Sequence, residues 1–139
     1  MPGIQVSVQV TGPLIPEGAE RLHRAIERGV RDLVDLGEER LAEILRPRPA
    51  GVYLGVTEAR PGQYSTGNYR RNVHGTSRNL HGLITDGGVV YGPWLEGVSS
   101  RNAATRFKGY ASFRRTAQYM EKEAARVFSR HVAWALETG

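Results

Sequence analysis

The chain has 139 residues, of which 40% are hydrophobic, and a formal net charge of +5. A chain of this length fits one domain, covering residues 1–139, that buries about two thirds of its unfolded surface. It contains no cysteine, which excludes disulfides and thiolate metal sites. No apolar run approaches the ~20 residues that a membrane span needs, and the first residues lack a secretion signal. We therefore expect no membrane partner and a cytoplasm-like environment.

The positive charge is concentrated in the middle of the chain. Residues 1–45 have a net charge of −3, whereas residues 46–115 carry eleven basic and three acidic side chains, a net charge of +8. Arginine outnumbers lysine 17 to 2, and the planar guanidinium group binds carboxylates and phosphates through paired hydrogen bonds. The basic centre therefore favours DNA, an acidic protein, or both, as partners.

The first third of the chain predicts a strand followed by a long helix. Hydrophobic and polar residues alternate from Ile4 to Val10, which is the period of a half-buried strand. From Pro16 onward the hydrophobic spacing changes to three and four, which predicts an amphipathic helix that ends before Pro47. Gly29 and Gly37 lie in or near its apolar stripe, where they predict close approach of a sheet or a neighbouring helix.

Residues 51–91 predict a meander of short strands, and the remainder predicts a loop and a second helix. The predicted strands are 51–58, 69–73, 80–85 and 89–91, with a turn at 75–77 and a hairpin turn at 86–88. Residues 97–109 predict a basic loop with low internal order. Hydrophobic residues then recur at spacings of three and four, which predicts a second amphipathic helix over about 110–137.

This order of elements predicts the α+β class. Both long helices have one apolar face, so both can cover the same side of a mostly antiparallel sheet of four to five strands. Such a two-layer arrangement leaves the sheet edges and the other sheet face uncovered, which is unfavourable for an isolated copy. A ring that continues the sheet from subunit to subunit would cover them.

Three short motifs follow one another in the second half of the chain. They are Thr-Gly-Asn-Tyr-Arg-Arg-Asn-Val at 66–73, Val-Tyr-Gly-Pro-Trp-Leu-Glu-Gly at 90–97, and Arg-Phe-Lys-Gly-Tyr-Ala-Ser-Phe-Arg-Arg at 106–115. In a strand, the adjacent Arg70 and Arg71 would point to opposite faces, so one could face an inner channel or a neighbouring ring while the other faces outward. The alternative is an edge strand with both side chains in solvent. Glu96 is placed to accept a forked bond from a guanidinium group, with Arg106 and Arg114 as candidate donors.

The order of these motifs resembles the siphophage tail-component family, the small neck or tail-completion proteins that join a DNA-filled head to a tail. The resemblance covers roughly the last two thirds of the chain. Two features depart from the family pattern, because Gly92 stands where alanine is commoner and no proline precedes the last helix.

The resemblance implies a structural virion protein, without enzymatic activity or cofactor, that forms a ring at the head–tail junction after assembly in the host cytoplasm. It implies four kinds of partner. These are further copies of the chain, with six favoured over twelve, a head-side connector or stopper protein, the tail terminator or tail-tube protein, and the DNA passing through the ring.

The motifs supply the candidate functional residues, because aromatic and arginine side chains are preferred anchors of protein interfaces. The candidate interface residues are Tyr69, Arg70, Arg71, Tyr91, Trp94, Glu96, Arg101, Arg106, Phe107 and Arg114. The candidate DNA-facing residues are Arg70, Arg71, Arg78, Arg101 and Lys108. Core packing by Tyr91 and Trp94, and a solvated loop at 99–108, are the alternative interpretations.

Catalytic and metal sites find little support in the sequence. The four histidines form no i, i+4 pair and no cluster with acidic residues, so we expect no metal ligand. The basic loop lacks the residue order of a nucleotide-binding loop, and a grouping of Ser77, His81 and Glu58 lacks a nucleophile elbow.

A soluble nucleic-acid-binding module is the alternative function. Its support is the basic middle region with its aromatic residues, on which bases could stack, and no recognised nucleic-acid-binding motif accompanies them.

Overall fold

The computed structural model describes residues 2–10, 16–45, 68–105 and 108–137. The predicted strand over 51–58 and the predicted end of the first helix at Pro47 lie outside these residues. The elements are β1 (Gly3–Ser7), α1 (Pro16–Ile44), α2 (Asn68–Asn72), β2 (His74–Arg78), β3 (His81–Thr85), α3 (Gly92–Glu96), α4 (Arg101–Thr105) and α5 (Ser112–Glu137).

The described strands form one antiparallel sheet in the order β1-β3-β2. Ile4 of β1 and Gly75 of β2 both lie opposite Ile84 of β3, and Ile4 and Ile84 are buried. The alternate residues Gln5, Thr76 and Leu83 are exposed on the other face. The protein therefore has the α+β class, with three strands in the described residues where four to five were predicted.

The two long helices were predicted correctly, and they form the main packing contact of the fold. They run antiparallel, because Gly29 of α1 faces Phe128 of α5 while Gly37 faces Met120. A methyl group at Gly29 would lie 2.5 Å from the Phe128 ring, and one at Gly37 would lie 2.5 Å from Ile84 of the sheet. The predicted use of these glycines, close approach of a helix or sheet, is confirmed.

Three local predictions in the middle of the chain were wrong. The predicted strand from Tyr69 to Val73 is the helix α2, and the predicted turn at 75–77 lies inside β2. Residues 89–91 form no strand, and Val90 is 90% exposed in a turn that leads into α3. Glycine is found within this strand because α1 approaches it closely: a methyl group at Gly75 would lie 2.6 Å from Val34.

One hydrophobic core joins α1, the inward sheet face, α2, α3 and α5. Its fully buried members include Val30 and Leu41 of α1, Tyr69 of α2 and Ile84 of β3. Among the described residues, no helix combines the length and the apolar character that crossing a membrane requires.

Candidate functional site

The second motif forms the short helix α3 rather than the turn that was predicted. Pro93 lies in its first turn, where the missing amide hydrogen is tolerated. Gly97 ends the helix with a left-handed φ of 99°, and its amide donates to the carbonyl oxygen of Pro93. Leu95 is buried, Trp94 is half-buried against the core and Tyr91 is 38% exposed. The aromatic residues therefore combine core packing with exposed surface.

Glu96 caps the N-terminus of α5 through its side chain. Its Oε1 accepts the backbone amide of Phe113 at 2.8 Å, and its Oε2 accepts the amide of Arg114 at 3.0 Å. A carboxylate is favourable here because the first amides of a helix lack partners and carry partial positive charge. The predicted forked bond to a guanidinium group is not what the described residues show, since Arg114 meets Glu96 through its backbone. Arg106 lies outside them.

Two glycines bring together the ends of the segment from 98 to 108, which we call the basic loop. Gly97 and Gly109 have left-handed φ angles of 99° and 84°, and a side chain on either would collide with the backbone beside the other. The amide of Tyr110 donates to the carbonyl oxygen of Leu95 at 2.7 Å. The ends of the basic loop are therefore fastened to α3.

The basic loop is more ordered than the sequence predicted, because it contains α4. The Asn102 side chain accepts the amide of Ser99 at 2.9 Å and donates to the carbonyl oxygen of Trp94 at 2.8 Å. These bonds tie the loop to α3 and leave Arg101 and Lys108 exposed. Arg106 and Phe107, predicted at the interface, lie outside the described residues.

A buried polar pair links α2 to the start of α3. The Tyr69 hydroxyl donates to Asp86 Oδ2 at 3.0 Å, and the amide of Gly88 donates to Asp86 Oδ1 at 3.0 Å. Asp86 is fully buried and Tyr69 is 2% exposed. Burial, with the Asp86 charge as a further cause, raises the pKa of Tyr69. The ring is enclosed within one chain, and the interface role of Tyr69 stays a prediction.

Sequence reasoning missed this pair. The run Asp86-Gly87-Gly88 predicted a hairpin, but both glycines have positive φ and turn the chain toward α3. A side chain at Gly92 would collide with Asp86 Oδ2. The available signal was a lone aspartate directly after a buried strand.

The predicted basic residues are spread over the molecule. Arg70 Nε donates to the carbonyl oxygen of Ala42 at 2.9 Å, which satisfies a backbone acceptor in the last turn of α1. Arg71 follows it on α2, so the two side chains do not alternate as they would on a strand. Arg78 lies at the far end of β2, about 13 Å beyond His74 at the strand rise per residue. These residues therefore lie on separate elements of the chain, and their DNA-facing role stays a prediction.

The histidines bind separate partners. His81 Nδ1 lies 3.3 Å from Ser7 Oγ on the open sheet face, whereas His131 bonds Asp32 at 2.5 Å between the long helices. His23 pairs with Glu27 on the same helix. In the parts of the chain that the structure describes, no group of three metal-ligating side chains comes together.

Comparison of the chain with protein-family models, with curated proteins and with solved structures finds no match. The resemblance to neck proteins therefore stays a prediction that rests on the three motifs.

Proposed function

We propose that this chain is a structural virion protein of a tailed bacteriophage, which forms a ring at the head–tail junction and surrounds the DNA passage. The observation that carries the proposal is how the second motif connects to the third. Glu96 joins α3 to the beginning of the last helix, and the amide of Tyr110 bonds Leu95 of α3, so the basic loop lies between two anchored ends. We expect such an anchored loop at a surface that binds a partner protein.

The subunit contacts would use surfaces that one copy leaves open. The face of the sheet opposite the helices exposes Leu83 and carries an open groove of about 390 Å³ next to Arg78 and His81. A small subunit that offers different surfaces to its two neighbours forms a closed ring when the rotation closes. Six copies are proposed for a ring on the tail side, and twelve for one that follows the head.

The partner contacts would use the exposed members of the motifs. Tyr91, Trp94, Arg101 and Arg114 remain candidates for contact with a head-side connector or a tail protein, since each retains exposed surface. Arg71, Arg78, Arg101 and Lys108 remain candidates for facing DNA, because their side chains are exposed. Binding to DNA through such residues would be dominated by phosphate contacts and would weaken with salt.

Native mass spectrometry and electron microscopy of the purified chain test the ring directly. We expect closed oligomers at high concentration, or on addition of the head or tail partner, together with weak and salt-sensitive DNA binding. A strict monomer that binds duplex DNA with nanomolar affinity would favour the nucleic-acid-binding alternative. Arg101→Glu with Lys108→Glu serves as the variant in which partner or DNA binding is reduced, and Lys122→Glu, exposed on α5, is the matched control.

A further inference from the structure

The solvent-exposed face of α1 has a basic half followed by an acidic half. With 3.6 residues per turn, five exposed residues fall on one stripe about 80° wide. They are Arg24, Arg28, Arg31, Asp35 and Glu39. The stripe changes from basic to acidic between Arg31 and Asp35. We call it the α1 stripe.

The charges of the α1 stripe are only partly used inside the molecule. Arg24 pairs with Glu20 at 2.6 Å, and Arg28 lies over the Trp134 ring at 5.2 Å. Within the described parts of the chain, Arg31, Asp35 and Glu39 take part in none of the ion pairs.

Among the described residues, other charged groups on α1 and α5 do not pair with Arg31, Asp35 or Glu39 either. Arg130 of α5 pairs with Asp32, and Arg40 lies over Tyr119 and 3.7 Å from Glu43. The basic and acidic halves therefore face solvent as two separate patches of opposite sign.

The basic half also borders a groove. A space of about 310 Å³ opens between α1 and the β2–β3 hairpin, and it is lined by Arg24, Glu27, Arg28, Arg31, Ser77 and Asn79. Three guanidinium groups at its wall suit carboxylate side chains, which they bind through paired hydrogen bonds. The acidic half of the same stripe supplies such carboxylates, but on one straight helix it cannot fold back to reach the groove.

We propose that the α1 stripe binds the α1 stripe of a second copy of this chain in an antiparallel, two-fold arrangement. When the axis passes midway between Arg31 and Asp35, Arg31 faces the partner's Asp35 and Arg28 faces the partner's Glu39. The same two contacts are repeated on the other side of the axis, as in any isologous interface. A parallel arrangement in register would place like charges together.

The stripe favours a second copy over DNA as its occupant. A phosphate backbone would be attracted by the basic half and repelled by Asp35 and Glu39, whereas Arg28 and Arg31 are complementary to Asp35 and Glu39 of a second copy. Exposed ion pairs are individually weak, and Trp134, which is 49% exposed beside Arg28, adds apolar surface. We therefore expect a dissociation constant on the order of 10⁻⁵–10⁻⁴ M, increasing at least ~10-fold in about 1 M salt, where the screening length falls to about 3 Å.

Charge reversal tests the proposal by sedimentation equilibrium at low salt. One variant carries Arg28→Glu with Arg31→Glu, and the other carries Asp35→Arg with Glu39→Arg. Each alone should dimerise at least ~10-fold more weakly than the natural chain. An equimolar mixture should regain the natural affinity, because the stripe with Arg28→Glu and Arg31→Glu is then largely acidic and the stripe with Asp35→Arg and Glu39→Arg is wholly basic. Circular dichroism checks the fold of each variant.

A crosslink tests the antiparallel register, since the chain has no natural cysteine. In the proposed dimer, the two copies of residue 35 are offset along the axis by about 6 Å and those of residue 20 by about 39 Å, at 1.5 Å per residue. A short bismaleimide should therefore join Asp35→Cys chains and leave Glu20→Cys chains unjoined.

Four results would overturn the proposal. These are a natural chain that stays monomeric at millimolar concentration in low salt, a mixture of the two variants that does not associate, equal crosslinking at both positions, and loss of duplex DNA binding in the Arg28→Glu, Arg31→Glu variant without any self-association.

The dimer goes beyond the proposed ring, and the measured mass separates the two proposals. A ring without this dimer, or this dimer without a ring, leaves one proposal standing.

Discussion

Asp86 connects three segments of the chain through one buried carboxylate. It accepts the Tyr69 hydroxyl from α2 and the amide of Gly88, and it lies against Gly92 at the start of α3. A buried carboxylate is tolerated only when its oxygens are hydrogen-bonded. The pair therefore holds the first motif against the second.

Replacing Tyr69 with phenylalanine should destabilise the protein by about 1–3 kcal/mol, because one Asp86 oxygen would stay buried without its donor. Urea unfolding measures the change. Tyr119→Phe is the matched control, since it keeps the aromatic ring that lies under Arg40 and should change the stability by less than ~0.5 kcal/mol. Equal effects of the two substitutions would contradict the assigned role of the Tyr69–Asp86 bond.

The raised pKa of Tyr69 predicts a loss of stability in alkali. Below about pH 10 the phenol is protonated in both states, and its contribution is complete. Above this pH the unfolded chain releases the proton while the folded chain retains it, so stability falls by up to ~1.4 kcal/mol per pH unit. Tyr69→Phe should reduce this slope. Burial also raises the pKa of Tyr110, so Tyr110 should maintain part of the slope. Unfolding curves at several alkaline pH values test the difference, and an unchanged slope would contradict it.

Gly109 should tolerate no side chain. Its φ of 84° is left-handed, and a methyl group would collide with the backbone of Gly97. Gly109→Ala should cost more than ~2 kcal/mol and loosen the basic loop. Gly18→Ala is the control, because nothing lies within 4 Å of the added methyl group and it should be neutral or stabilising by up to ~1 kcal/mol. Thermal unfolding and limited proteolysis at Arg101 report both effects, and similar behaviour of the two variants would refute the account.

At the scale of elements, length decided what the sequence could predict. The helices α1 and α5 have 29 and 26 residues, so each repeats its apolar spacing several times and the pattern is unambiguous. The helices α2 and α3 have five residues each, which is too few to show a helical period. Both depend on partners distant in sequence, which no local pattern reveals: Asp86 for Tyr69 of α2, and the first amides of α5 for Glu96 of α3.

The strand β2 shows a different reason for failure. Its central residues 75–77, Gly-Thr-Ser, are typical of a turn, and they were predicted as one. The strand forms because it pairs with β3 and because Gly75 lets α1 approach the sheet closely. Such a strand is selected by tertiary packing rather than by its own propensity.

The cap of α5 is a prediction at this scale. Glu96→Ala should cost about 1–2 kcal/mol, since the amides of Phe113 and Arg114 lose their acceptors. Glu96→Gln should retain part of this energy, because only one of its two terminal atoms can accept. Glu121→Ala, exposed within the same helix, should change stability by less than ~0.5 kcal/mol. A Glu96→Ala variant as stable as the Glu121→Ala variant in urea would exclude the cap.

At the scale of the whole molecule, the sequence predicted the class, the two long helices and the surfaces left open more successfully than the site. Both long helices lie on one side of the sheet, and the other side exposes Gln5, Thr76 and Leu83. Of the predicted interface residues, Tyr69 is buried and Glu96 is occupied by α5, whereas Tyr91 and Arg101 stay accessible. In these motifs an aromatic residue serves packing and a charged residue serves capping, and only their three-dimensional partners distinguish these uses from binding.

The most direct test of the neck-protein proposal is head–tail joining in a phage whose copy of this gene carries a stop codon. We expect DNA-filled heads and complete tails that accumulate separately, and joined infectious particles once the purified chain is added. The Arg101→Glu, Lys108→Glu variant should restore joining less well than Lys122→Glu. Normal infectious particles formed without the chain would contradict its assignment to the head–tail junction.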